Sequence, residues 1–261
     1  MRDDITPLII TYNEAPNIAR TVGKLSWAKR IVVIDSGSTD ATLDLLRGFP
    51  QVEVIGHPFS DFASQCNFGL TKIDTPWVLS LDADYELSDA LVEELAALRA
   101  PDGIAGYRAR FVYRIYGRAL RGTLYPPRVV LYRKDKARYR NEGHGHRVAV
   151  DGEILPLAGV IYHDDRKPLV RWFDSQRRYA QAEARYLVAT PPGKLRRLGR
   201  IRRLGWAAPF AVLFYTLFVK GCILDGWPGW YYALQRLCAE ILITLELLDL
   251  RLRKCKAEAP E

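Results

Sequence analysis

Four short apolar runs, each followed by a segment with helical spacing, restrict this chain more than any other feature. The runs cover residues 6–11, 30–35, 52–57 and 77–82. Each is rich in Val, Ile or Leu with little polar alternation, as expected of parallel strands covered on both faces. Amphipathic stretches follow at about 14–27, 39–48, 62–73 and 88–99. Strands that alternate with helices in this way build βαβ units around a parallel sheet. A length of 261 residues suits one large domain, or one domain with an appendage.

From Gly103 the texture changes. GYRARFVYRIYG, RVVLYRK, RVAV and AGVIYH read as further short strands, with turns at Gly143, Gly145 and Gly152. Pro168 opens a long amphipathic segment. After Pro191-Pro192-Gly193 comes the basic run KLRRLGRIRRLG, and then two apolar segments, 206–224 and 230–250, joined by DGWPG. Two domains are expected: a catalytic one over 1–165, and a basic, apolar helical region over 166–261. Charge divides along the same line. Residues 1–165 hold 20 Lys and Arg against 22 Asp and Glu, whereas 166–261 hold 18 against 8. The C-terminal third thus calls for an anionic partner, a lipid surface or nucleic acid. Cys66, Cys222, Cys238 and Cys255 show no CxxC spacing and read as reduced thiols. The N-terminus turns polar again by Thr11 and does not read as a signal peptide.

The fourth run ends abruptly in Asp82-Ala83-Asp84. Residues two apart on a strand point the same way, so both carboxylates can face one site. In an open α/β sheet, ligands bind outside the carboxyl ends of the parallel strands, which is where this pair falls. Two close anions repel unless a cation lies between them. Mg2+ or Mn2+ fits, since such hard cations are commonly held by one or two carboxylates plus substrate phosphates. A bland alternative is that the aspartates merely open a surface loop and cap the next helix. The other strand ends weigh against it. The first run ends in Thr11-Tyr12-Asn13-Glu14, and the second opens the turn Asp35-Ser36-Gly37-Ser38. Polar side chains and a glycine that admits close backbone approach therefore collect at the same edge.

In their order and separations, PLIITYNE, RIVVIDSGSTDAT, FASQCNFGL and WVLSLDADYEL resemble the family 2 glycosyltransferases with the A-type nucleotide-sugar fold. The resemblance covers roughly residues 5–165. EGHGHRV, IYHDDRKPL and LDGWPGWYYALQR look like a bacterial subgroup associated with lipopolysaccharide core and related envelope glycans. It implies an α/β fold, with a mostly parallel nucleotide-binding sheet flanked by helices and a C-terminal helical hairpin appended. It also implies a nucleoside diphosphate sugar as donor, a glycan or glycolipid acceptor, and inversion by single displacement. Residue by residue, it sets Thr11, Tyr12, Asn13 and Glu14 along the nucleotide base and ribose. Asp35 would accept from the base with Ser36 close by, and Gln65 and Asn67 would face the ribose and diphosphate. Asp82 and Asp84 would sit at the ribose and the divalent ion, Asp84 as the more direct ligand. His163 would complete the coordination; the alternative is a buried histidine satisfied by the backbone. Relatives often carry Asp-Ala-Asp-Glu, whereas Tyr85 here stands before Glu86, which puts a role for Glu86 in doubt.

Sugar transfer to an alcohol also needs a general base. NEGHGHRV offers Glu142, His144 and His146. A carboxylate base matches the habit of the fold and favours Glu142; a histidine is chemically reasonable because it titrates near neutrality. Arg128 and Arg133 could pair with phosphate or an acidic acceptor, or be solvated strand positions.

The apolar segments near the C-terminus are too short or too charged to span a bilayer, which takes roughly 20 apolar residues. Arg196, Arg197, Arg200, Arg202 and Arg203 precede them, and Arg251, Arg253, Lys254 and Lys256 follow. This predicts a monotopic hairpin on the inner face of the cytoplasmic membrane, bound to anionic inner-leaflet lipids. The alternative is a hairpin packed on the catalytic domain or on a second subunit, as in a homodimer. Nucleic acid is not expected as a partner, because the basic run is coupled to apolar segments and not to a recognition helix or stacking platform. A sugar nucleotidyltransferase would ordinarily need a glycine-rich phosphate loop, which TYNEAPN is not.

Overall fold

In the computed structural model the four apolar runs form β1 (Ile5–Thr11), β2 (Ile31–Asp35), β3 (Val52–Gly56) and β4 (Trp77–Asp82), parallel and in the order β3-β2-β1-β4. The structure describes residues 2–142, 145–195 and 197–258, with the backbone alone at 142, 145, 146 and 254–258. The chain forms two compact units. One is Met1–Ala119 with Tyr125–Lys167; the other is Leu120–Leu124 with Pro168–Glu261.

In the first unit, successive strand residues divide between two cores. Ile9, Val33 and Leu79 pack on one face with Ile18, Val22 and Leu91. Leu8, Val32, Ile34 and Val78 pack on the other with Ala63, Cys66 and Leu70. Both faces of these strands are covered, which is why their sequences lack polar alternation. β3 departs from that expectation. It is an edge strand, and Glu53 and Val54 are exposed. The helices are α1 (Ile18–Gly23), α2 (Thr42–Leu46), α3 (Phe62–Leu70) and α4 (Asp89–Ala97). Asp61 caps α3 by accepting from the Ser64 amide, and Ser88 caps α4 by accepting from that of Leu91. α1 and α2 are shorter than their periodic windows, because the residues before them are spent on loops at the sheet edge and residues 24–27 and 47–48 after them form turns.

The sheet continues past β4 with β8 (Arg128–Arg133), β6 (Ile104–Ile115), β11 (Glu153–His163) and β5 (Tyr85–Leu87), while β7 (Arg118–Ala119) pairs with β6. β8 runs antiparallel to β4 and to β6, β6 and β11 are parallel, and β5 is antiparallel to β11. This half is mixed, and its pairing sets His163 opposite Tyr85, one residue beyond Asp84. β9 (Ala137–Glu142) and β10 (Gly145–Val150) form a separate antiparallel hairpin.

The second unit is helical: α5 (Leu169–Ala189), α6 (Arg197–Arg203), α7 (Ala207–Phe214) and α8 (Trp227–Glu258). The first apolar segment is not one helix. α7 passes into a π turn at Tyr215–Val219, then a 3-10 turn at Cys222–Asp225. Ala180, Ala184 and Leu187 of α5 pack on Ile243 and Leu247 of α8. Arg202 clamps this packing. Its Nη1 donates to Glu183 Oε1 at 2.7 Å, and Nε and Nη2 donate to both oxygens of Glu240. All three side chains are largely buried. Arg202→Met is therefore expected to cost about 3–5 kcal/mol, because two carboxylates lose their partner away from water. Urea unfolding measures this; a loss under about 1 kcal/mol would mean that solvent screens the triad.

Candidate active site

The loops after β1 and β2 are tied together. Asn13 takes a left-handed backbone (φ 55°), which asparagine tolerates. Its Oδ1 accepts from the amides of Thr39 at 2.6 Å and Asp40 at 3.2 Å, and its own amide donates to Ser38 Oγ at 2.8 Å. Asp35 Oδ2 accepts from the amides of Gly37 (2.8 Å) and Ser38 (2.9 Å), where Gly37 supplies a φ of 85°. Gln65 is buried. Its Nε2 donates to Ser36 Oγ and to the His57 carbonyl, both at 2.8 Å. Asn67 pairs with both backbone groups of Tyr139. Thr11 is buried with its hydroxyl unpaired, whereas Tyr12 is half exposed. The structure thus gathers Thr11 to Glu14, Asp35 and Ser36 at one edge, with Asn13, Asp35 and Gln65 already engaged in shaping it, while Asn67 ties α3 to β9.

Asp84 follows β4 and meets His163 at the end of β11. His163 Nε2 lies 3.2 Å from Asp84 Oδ2. Asp84 Oδ1 and His163 Nδ1 are buried with no hydrogen-bond partner. Burial alone would raise the Asp84 carboxyl, but His163 beside it and Lys167 hold it below the usual carboxylate range. Burial alone would lower the His163 imidazole, yet Asp84 pulls it above its ordinary value. Asp82, at the end of β4, acts electrostatically on the same histidine. Among the described residues no group of three or more His, Cys, Asp or Glu is gathered as a metal cage.

Around this pair stands an aromatic wall. His163 lies 4.6 Å from the Tyr113 ring and 5.1 Å from that of Tyr125, centroid to centroid. Tyr125 and Tyr85 join hydroxyl to hydroxyl. Glu86 is occupied elsewhere, by Arg20 at 3.6 Å and Arg114 at 3.5 Å.

The segment after His163 contributes more than the sequence reading allowed. Lys167 Nζ donates to Glu14 Oε1 at 2.6 Å, and Asp165 accepts from Asn17 at 3.1 Å. Asp164 is fully buried and accepts from Arg20, Arg166 and the Gly117 amide. Glu14 is thus held inside an ion pair. Burial and the charge of Asp84 push its carboxyl up to about 7, against the pull of Lys167. HDDRK carried this signal as two acidic residues followed by two basic ones, but nothing local in it names Glu14 as the partner. Glu142 ends β9, paired with Gly145; its side chain lies outside the described residues, as does His144. His146 pairs with Asn141 through the backbone, and its side chain likewise lies outside them.

Residues 7–152 match the sequence profile of glycosyl transferase family 2. The chain belongs to that family. This glycosyltransferase is 34% identical over 143 residues to the lipopolysaccharide core biosynthesis glycosyltransferase LpsC of Rhizobium meliloti, a match spanning 52% of this chain and 53% of that relative. The chain thus covers about half the length of this curated relative. It is 24% identical over 265 residues to the uncharacterized glycosyltransferase RP128 of Rickettsia prowazekii, spanning 95% and 88% of the two chains. Among solved structures it is similar in fold to the mannosyltransferase PcManGT from Pyrobaculum calidifontis, determined with GDP-Man and Mn2+. That likeness has a TM-score of 0.53 at 16% identity and covers 95% of this chain and 88% of the other. The glycosyltransferase therefore has the A-type fold, a mixed α/β sheet with flanking helices.

Proposed function

We propose that this enzyme is an inverting, metal-dependent glycosyltransferase that moves a sugar from a nucleoside diphosphate sugar to a hydroxyl of an envelope glycan or lipid-linked acceptor, in lipopolysaccharide core assembly. The observation that carries the metal reading is the buried pair Asp84–His163, with one unpaired polar atom on each side chain. An oxygen and a nitrogen donor, joined by Asp82, suit Mn2+ and, less well, Mg2+. Two or three protein ligands also suit cations of this kind, whose coordination is commonly completed by substrate phosphates and water. When bound, the divalent cation would neutralise the leaving nucleoside diphosphate.

The chain's own residues do the rest. Thr11, Tyr12, Asp35 and Ser36 hold the nucleoside at the ends of β1 and β2. Asn13 and Gln65 keep that edge in shape through the hydrogen bonds given above, and Asn67 holds β9 against α3. Glu14, paired with Lys167, braces the loop after β1. The general base is Glu142, with His144 the second choice. The first unit is the catalytic domain. Screening nucleotide sugars for hydrolysis with and without Mn2+ tests the whole reading; a donor turned over equally well in excess chelator would refute it.

The second unit we assign to the membrane surface on the cytoplasmic side. No helix among the described residues is long and apolar enough to cross a membrane. Yet Trp206, Phe210, Phe214 and Phe218 recur every four residues and are all more than half exposed. On α8, Trp227, Trp230, Leu234, Ile241, Leu245, Leu248 and Leu252 follow one another at spacings that keep one face, and all are exposed. Exposed apolar area of this extent marks an interaction surface. Arg197 and Arg200 are exposed on α6, and each basic residue near an anionic surface adds about 1 kcal/mol. Arg202 does not join them, since it is committed to Glu183 and Glu240. Arg196 lies outside the described residues. High salt is expected to release the protein from membranes only in part, and detergent to release it fully. Arg197→Gln with Arg200→Gln should weaken binding to anionic vesicles more than to neutral ones. A wild-type protein that remains in the soluble fraction at low salt without detergent would sink this assignment and favour a homodimer through the same face.

A further inference from the structure

Arg128 opens β8. The antiparallel register pairs Trp77 with Arg133 and Leu79 with Leu131, so Arg128 lies toward the carboxyl end of β4. The guanidinium carbon sits 4.3 Å from the centroid of the Tyr125 ring. That ring is a fixed platform. Its hydroxyl is bound by Tyr85, and the ring packs edge-on against Phe111 at 5.0 Å and His163 at 5.1 Å. Arg128 is therefore one ring removed from the Asp84–His163 pair, and both aspartates act on it electrostatically. It is nonetheless exposed, and among the described residues no carboxylate lies within ion-pair distance of it. Arg20, Arg114, Arg166 and Arg202, by contrast, each hold such a partner. A guanidinium stacked by its face on an aromatic ring keeps its N–H edges free, and those edges match the paired oxygens of a phosphate or carboxylate.

Sheet order gives this arginine a side. β1 and β2, whose ends would carry the nucleoside, lie on one flank of β4, and β8 lies on the other. An in-line displacement brings the acceptor from the side away from the leaving group. We propose that Arg128, presented on Tyr125, binds an oxyanion of the acceptor, a phosphate or a carboxylate, so that the enzyme selects an anionic glycan. This rests on the reading of Asp82 and Asp84 as the reaction centre.

The test uses the full chain saturated with Mg2+ and whichever of UDP, GDP, ADP and CDP binds best. Inorganic phosphate and acetate are then titrated separately by calorimetry, and the tighter one names the group. Binding of one of them is expected in that complex. It should weaken about tenfold or more in Arg128→Gln, the loss expected for a charge-assisted hydrogen bond, and recover in part in Arg128→Lys. In turnover with lipopolysaccharide core oligosaccharides, Arg128→Gln should raise the KM for acceptor more than the KM for donor. An anion that binds only when the nucleoside diphosphate is absent would mark the group as the donor's and overturn the proposal. So would an Arg128→Gln protein that binds the anion as wild type does, or a wild type that binds neither. A wild type that binds none of the nucleoside diphosphates would refute the reaction-centre reading itself, and this inference with it.

Discussion

Asp84→Ala is expected to abolish turnover. The carboxylate is buried, meets His163 at 3.2 Å and keeps one oxygen without a partner, so the proposed cation loses its most direct ligand. Retention of more than roughly a tenth of kcat, a change of only about 1.4 kcal/mol, would show that Asp84 is not that ligand. The control is the fold, because the same substitution strips His163 of its partner. In chelator, the depressed Asp84 carboxyl contributes stability above its unfolded value of about 4, which is lost as the pH falls. The raised His163 contributes below its unfolded value of about 6.5, which is lost as the pH rises. The stability difference between wild type and Asp84→Asn should accordingly be greatest between those limits. Asp84→Asn should also lose activity at a pH where it remains folded, which separates loss of the ligand from loss of structure.

Glu142→Gln is the second large effect. Loss of a positioned general base typically slows the chemical step about 10²–10⁴-fold, so kcat should fall in that range while nucleotide-sugar binding survives. The substitution is nearly isosteric and sits at the end of β9, so the melting temperature should hardly move. Should His144→Ala show this pattern and Glu142→Gln not, the base is the histidine. A loss of donor binding with kcat retained would instead put Glu142 against the donor.

The sequence by itself determined the nucleotide half of the fold. Runs buried on both faces lose polar alternation, and β1, β2 and β4 did so because helices cover each side of them. Their carboxyl ends could be read directly, since chain direction alone puts Thr11 to Glu14, Asp35 and Asp84 at one edge. The helical stretch over α5 was equally legible from its period. Strand order past β4 was not. It depends on long-range pairings that local patterning does not encode, and these set β11 against β5 and carry His163 to Asp84. The same holds for Lys167 and Glu14, 153 residues apart and joined at 2.6 Å, and for Asn67, whose amide serves the backbone of Tyr139. A side chain's type tells what it can bind. Whether that capacity is spent inside the protein, as with Arg202, or left open, as with Arg128, is decided by which distant segment folds against it.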